Sequence, residues 1–176
     1  MSGLIRFLLL IAATLMPFGA HAAGKWVGTE APVIKLPDQD NRLRSLADFR
    51  GRWIALYFYP KDDTPGCTQE AIQFRDRWPQ FQKAGIEVIG VSVDGVKSHK
   101  AFASAHRLPF ILLSDEKHQL AKAMGVLRGF GPVAFASRET FLIDPDGTIV
   151  YHYPSVNTSR HADEVLKDVA RLKTGP

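Results

Sequence analysis

Two stretches of the chain, RWIALYFYP (52–60) and IEVIGVSVD (86–94), are almost continuously apolar and rich in aromatic and β-branched residues. That is the pattern of strands buried on both faces. Between them, TQEAIQFRDRWPQFQKAG places Ala71, Phe74, Trp78 and Phe81 near helical spacing, with Gly85 as a stop. Pro79 lies inside that helix and predicts a kink or break. SHKAFASAH predicts a second helix with Ser98 as its N-cap, FILLSD (110–115) a short strand, and EKHQLAKAMGV a third helix ending near Gly125. ETFLIDPDGTIVYHYP reads as two strands joined by the turn Asp144-Pro145-Asp146-Gly147. RHADEVLKDVARLK reads as an amphipathic helix that turns Val165, Leu166, Val169 and Leu172 inward. Upstream, residues 24–51 predict a short β-hairpin turning at DQDN.

Strand and helix alternating three times, then a hairpin, then a helix, predicts an α/β domain. Its central mixed sheet carries helices on both faces, behind an N-terminal β-hairpin extension. This order fits the thioredoxin fold. In open α/β sheets, ligands sit outside the carboxyl ends of the strands. Cys67, the only cysteine in 176 residues, falls just beyond the carboxyl end of the strand over 52–60, in the first turn of the next helix.

The first residues follow a different pattern. MSGLIR carries Arg6, FLLLIAATLM (7–16) is an apolar run of ten, and Ala20 and Ala22 flank His21. This predicts a secretory signal peptide over residues 1–22, cleaved after Ala22, with a single domain over 23–176 that is periplasmic or otherwise exported. The competing reading, an uncleaved anchor, meets a run too short for the roughly 20 residues of a spanning helix. Removing the leader leaves 154 residues and lowers the formal charge from +4 to +3. No Lys/Arg cluster points to nucleic acid, and nothing in the mature part points to a membrane.

A lone thiol in an exported chain forms no disulfide within itself. It pairs with another molecule or stays free and reactive. The count also excludes C-x-x-C chemistry and a cysteine-cluster metal site. His99, His106, His118, His152 and His161 show no tight metal spacing, so no metal is expected, and no haem or flavin is expected where a thiolate performs the chemistry.

The residues around Cys67 suit a nucleophile. A free thiol titrates near about 8.5, and helix N-termini or cationic neighbours favour the thiolate. Unpaired N–H groups at the helix start supply positive potential. Pro65 and Gly66 bring backbone donors close to the sulfur, and the Thr64 hydroxyl can bond a bound oxygen.

The segment YPKDDTPGCTQEA resembles the active-site loop of the peroxiredoxins, in the bacterioferritin comigratory protein or peroxiredoxin Q branch, through Pro60, Thr64 and Cys67. The resemblance continues through APVIKLPDQD, LADFRGRWIALYFYPKDDTPGC, GVSVDGVKSHKAFASAHRLPFILLSD and RETFLIDPDGTIVYHY, nearly all of the mature chain. It implies that Cys67 attacks a peroxide oxygen as a thiolate, that Thr64 bonds the peroxide, and that Pro60 shields the sulfur. It also implies that Arg138 favours the thiolate and holds the peroxide oxygens, with Glu70 supporting the arginine. Many members of the branch have a resolving cysteine five residues after the peroxidatic one. Here that position is Ile72, so the resemblance implies a one-cysteine cycle in which an external thiol reduces the sulfenic acid.

The expected activity is reduction of hydrogen peroxide and small organic hydroperoxides, regenerated by a thioredoxin-like protein or a small thiol, in a monomer or weak homodimer. The rival expectation is a peroxide sensor or mixed-disulfide adaptor that reacts once without turning over. Asp62 and Asp63 read as turn formers, His152 as half-exposed packing, and Trp78, Phe81 and Phe130 as core or rim. A Cys–His dyad is a further option for activating the thiol. The Gly129–Pro132 loop leads toward Arg138 and borders either the peroxide entrance or a dimer contact.

Overall fold

The structure is a computed structural model that describes residues 25–175. The signal peptide expected over 1–22 lies outside the described residues. An antiparallel pair, β1 (Leu36–Pro37) and β2 (Leu43–Arg44), forms the predicted N-terminal hairpin. Ser45 and Asp48 then close a capping box on a short 3-10 turn over Leu46–Phe49.

The central sheet contains β3 (Trp53–Phe58), β4 (Ile86–Ser92), β5 (Ile111–Ser114), β8 (Glu139–Ile143) and β9 (Ile149–Tyr153), in the order β5-β4-β3-β8-β9. β3, β4 and β5 run parallel, while β8 is antiparallel to β3 and β9 antiparallel to β8. A mixed sheet of this order, covered on both sides, is the thioredoxin-like fold that the alternation of elements predicts.

The two-residue period of β3 divides the core. Ile54, Leu56 and Phe58 face a layer built from Leu36, Leu46, Phe49 and the helix α4 (Gln119–Ala123). Ala55, Tyr57 and Tyr59 face the helices α1 (Pro65–Asp76), α2 (Trp78–Lys83), α3 (Val96–His106) and α5 (His161–Thr174). Phe74 lies at the centre of this second layer, its ring centroid 4.8 Å from Tyr57 and 5.6 Å from Phe81. Truncating such a ring to Ala costs about 3–5 kcal/mol. The Tyr57 ring crosses Gly90 on β4, where a Cβ would lie 2.7 Å from its hydroxyl oxygen. Any side chain at that position would expel the ring.

Pro79 breaks the helix as expected, between α1 and α2 at Arg77. Two expectations are corrected. Gly95, not Ser98, caps α3, because the Ser98 hydroxyl donates instead to Asp62 Oδ2 at 2.7 Å. The third helix is shorter than predicted. His118 adopts a left-handed φ of 59°, and the Asp115 carboxylate accepts from the amides of Gln119 and Ala121, so regular turns begin only at Gln119. A two-stranded ribbon that the sequence pattern does not announce, β6 (Leu127–Arg128) with β7 (Phe135–Ala136), joins α4 to β8. Its tip leaves Phe130 83% exposed.

Candidate active site

Cys67 occupies the third position of α1, behind Thr64 at the N-cap, Pro65 and Gly66. Proline suits the first helical position because its missing N–H would find no partner there. The first intrahelical bond runs from the Thr68 amide to the Thr64 carbonyl at 2.9 Å. The amides of Gly66 and Cys67 precede it in the turn whose donors have no intrahelical acceptor. Cys67 itself is 1% exposed, at the edge of the aromatic layer beneath β3.

Arg138, from the segment entering β8, reaches across to this turn. Its Nη2 lies 3.2 Å from Cys67 Sγ, and its Nη1 donates to Glu70 Oε2 at 2.5 Å. Glycine at position 66 permits the approach, since a Cβ there would sit 3.3 Å from Nη2. The guanidinium therefore bridges two residues one helical turn apart, with its fork divided between a sulfur and a carboxylate.

The electrostatics of this bridge are uneven. Burial pushes the Glu70 carboxyl up to about 7, against the opposing charge and hydrogen bond of Arg138. Its second oxygen, Oε1, is buried without a partner. Burial alone would weaken the Arg138 cation, but Glu70 and Cys67 outweigh it and raise the guanidinium further into its charged range. His161, at the start of α5, is pushed down to about 4 by burial and then by Arg138, so it stays a neutral imidazole. Its Nε2 bonds Thr140 Oγ1 at 2.8 Å, and its ring meets Phe74 and Tyr153 edge-on.

The structure thus brings Cys67, Arg138 and Glu70 together. Pro60 is half-buried in the loop between β3 and α1. Thr64 is also half-buried and directs its hydroxyl proton to the Lys61 carbonyl at 3.0 Å, which leaves its oxygen as an acceptor. The Cys–His option has no support in the contacts: the side-chain hydrogen bond to Cys67 among the described residues comes from Arg138. His152 does more than pack, because its Nε2 meets Glu139 Oε2 at 2.8 Å while its ring stacks on Phe141. Asp63 is a turn residue with a φ of 56°. Asp62 is not merely a turn former. It is buried, and its carboxylate gathers Tyr59, Ser98 and His99.

Several participants escape a sequence reading. Tyr57 and His161 matter through partners far along the chain, as does the second role of Gly66, which is to admit the Arg138 guanidinium. His99 leaves a faint signal, since it shares one helix face with Phe102 and Ala103 at apolar spacing and is as buried as they are. No group of three or more metal-ligating side chains forms among the described residues.

A buried thiol at a helix start, met by a guanidinium on a thioredoxin-like sheet, defines the class of thiol peroxidases. The chain matches the AhpC/TSA family over residues 27–152 and belongs to it. Within that family its relatives are peroxiredoxins of the bacterioferritin comigratory protein or peroxiredoxin Q branch, and it lacks the resolving cysteine. The chloroplastic peroxiredoxin Q of Sedum lineare is 44% identical over 148 residues, covering 83% of this chain and 78% of that protein. The Xanthomonas campestris bacterioferritin comigratory protein, solved as trapped intermediate and ligand complexes bearing on alkyl peroxide reduction, superposes with a TM-score of 0.75. It is 36% identical and covers 79% of this chain and 91% of its own. Peroxidoxin BcpB of Mycobacterium tuberculosis gives a TM-score of 0.78 at 33% identity, over 83% of this chain and 97% of its own.

Proposed function

We propose that the protein is an exported peroxidase that reduces hydrogen peroxide and small organic hydroperoxides at Cys67 alone, and that an external thiol restores it. The observation that carries the chemistry is the 3.2 Å separation between Arg138 Nη2 and Cys67 Sγ in a water-poor helix start. A cation at that distance favours the thiolate, and the free amides of the first turn add to the field.

In the reaction, the thiolate lone pair attacks one peroxide oxygen while the O–O bond breaks heterolytically. The sulfur loses two electrons and becomes a sulfenic acid. The departing oxygen carries the negative charge off as hydroxide or alkoxide and takes up a proton as water or alcohol. Arg138 and the loop amides stabilise that charge as it forms. The Thr64 oxygen accepts a hydrogen bond from the peroxide O–H, and Pro60 keeps bulk water from the sulfur. Glu70 holds the guanidinium.

Without a second cysteine, the sulfenic acid condenses with a thiol from outside to give a mixed disulfide and water. A second thiol then releases Cys67. The reductant is a thioredoxin-like protein or a small thiol, and the leader pattern over 1–22 supports an exported compartment.

Multiple-turnover peroxide consumption with a panel of dithiol and monothiol donors tests the reading. Sustained turnover with at least one donor is expected. One equivalent consumed and no more, whatever the donor, would replace the enzyme with a sensor.

A further inference from the structure

Between Tyr59 and Cys67 the loop that delivers the thiol has one buried residue, Asp62; its neighbours are exposed or half-buried. Asp62 is tied from every side. The Tyr59 hydroxyl donates to its Oδ1 at 2.8 Å, the Ser98 hydroxyl to its Oδ2 at 2.7 Å, and His99 Nδ1 lies 2.9 Å from Oδ2. Its backbone amide donates to Asp94 Oδ2 at 2.9 Å, an oxygen that also takes the Ser92 hydroxyl. The loop is thereby fastened to the carboxyl end of β4, to α3 and, through His99, to β5.

The other side of His99 decides its charge. His99 Nε2 lies 3.1 Å from the carbonyl oxygen of Leu113, which can only accept. An ionised Asp62 can also only accept. Both ring nitrogens must then donate, which requires an imidazolium. Burial would push the Asp62 carboxyl up, but the hydrogen bond and charge of His99, with the bonds from Ser98 and Tyr59, hold it below the usual carboxylate range. Two carboxylates, Asp62 and Asp94, meet here, and among the described residues no Lys or Arg forms an ion pair with either. His99 lies in their midst, and its side chain is fully buried.

We propose that Asp62 and His99 form a buried ion pair that positions the Cys67 loop, holding Thr64 and the first turn of α1 in register with Arg138 for reaction with peroxide. The inference rests on the peroxidase reading and adds a pair of positioning residues to it. The loop needs such an anchor because the next residue, Asp63, is held at a φ of 56°. A non-glycine residue in the left-handed region stays there only when its surroundings over-determine it. Asp62 and Thr64, on either side, supply that constraint.

The test has two parts. The first needs no variant: nitrogen-detected NMR of histidine side chains in the wild-type protein near neutral pH. Both ring nitrogens of His99 are expected to carry protons. A single-proton ring there would overturn the ion pair.

The second part compares Asp62→Asn, His99→Gln and the double variant. It uses the rate of Cys67 with hydrogen peroxide and the rate of its alkylation by iodoacetamide. Alkylation needs only an accessible thiolate, whereas peroxide reduction also needs Thr64 and the loop amides in place. Each single variant should lose up to about a hundredfold with peroxide, the scale on which small misplacements act, and a much smaller factor with iodoacetamide. The double variant should recover part of the loss, because neither charge is left alone. Equal losses in both reactions, strictly additive losses, or a lowered melting temperature with wild-type rates would overturn the positioning role. If a variant does not fold, the NMR result still decides the pair. If wild-type Cys67 reacts with iodoacetamide and not with peroxide, the peroxidase reading fails while the His99 protonation state stands on its own.

Discussion

Two buried carboxyl groups lie near Cys67 in the sequence, Asp62 on the loop that precedes it and Glu70 on the helix that follows, and they are in opposite situations. Asp62 receives donors on both oxygens and is held below the usual carboxylate range, by contributions that outweigh its burial. Glu70 has one partner, the Arg138 fork, and one buried oxygen with none; burial wins and pushes it up to about 7. Burial alone therefore does not set the charge of a carboxyl. Donors and nearby charges oppose burial, and here they prevail at Asp62 and not at Glu70. The consequence for function is a division of labour. The saturated side ties the loop to β4 and α3, and the undersaturated side holds an arginine whose fork is divided between sulfur and carboxylate.

The largest effect expected belongs to neither carboxyl but to the atom they flank. Cys67→Ser should abolish peroxide consumption while circular dichroism and melting stay close to wild type, since the change replaces sulfur by oxygen. Next comes the bridge. Arg138→Met should slow the reaction with peroxide by about a hundred- to a thousandfold, the usual loss for one preorganised donor. Arg138→Lys should recover only part, because an ammonium cannot serve sulfur and carboxylate with one planar fork. Stopped-flow rates for the three proteins would check the ranking, and a Lys variant equal to wild type would reduce the bridge to simple charge.

A smaller effect sharpens the comparison through pH. Glu70 holds its proton more tightly folded, at about 7, than at its ordinary value of 4.5. Its contribution to stability is present below 4.5 and lost as pH rises through 7. His161 runs the other way. Folded it titrates at about 4 against an ordinary 6.5, so its contribution is present above 6.5 and lost as pH falls through 4. Each is on the order of 3 kcal/mol at full extent. Between pH 4.5 and 6.5 the two slopes oppose each other in wild type. His161→Gln should uncover a stability that falls with rising pH, and Glu70→Gln one that rises. Urea denaturation at a series of pH values would show the two slopes, and parallel profiles in both variants would contradict the assignment.

The smallest change concerns Ile72, half-buried on α1. A partner five positions along a helix lies about 7.5 Å up the axis, so a disulfide from Cys67 to that position needs the helix to open. Ile72→Cys should create an internal disulfide, slow overoxidation to the sulfinic acid, and loosen α1 in the oxidised form. Wild type should keep α1 when oxidised and overoxidise as peroxide rises without a thiol donor. Hydrogen exchange over Pro65–Asp76 in both proteins reads this directly.

What the sequence made legible follows a physical line. β3 was readable because both of its faces are buried, so no polar residue interrupts the run. The hairpin turn was readable because Asp144 and Gly147 do their work locally, the Asp144 carboxylate accepting the amides of residues 146 and 148 and Gly147 taking a φ of 83°. Pro79 broke the helix by its own ring. Cys67 was located by short-range spacing. By contrast, Ser98 looked like a cap because its partner, Asp62, is 36 residues away. The β6–β7 ribbon has two residues on each side, too few for a period. Asp62 looked like a turn residue because neighbours 36 and 37 positions on complete its hydrogen bonds. Local chemistry is written locally, whereas burial of polar groups is decided by pairs that the chain brings together only on folding.

The central claim is that Cys67 alone takes an oxygen from peroxide, and that thiols from outside then reduce the sulfenic acid, its oxygen leaving as water. Intact-mass measurement of the reduced protein after one equivalent of hydrogen peroxide tests it, followed by an external thiol. The account predicts one added oxygen located on Cys67, then return to the starting mass, or a mixed disulfide on the way, when the thiol is added. Peroxide consumed with no oxygen or thiol adduct ever found on Cys67 would contradict it.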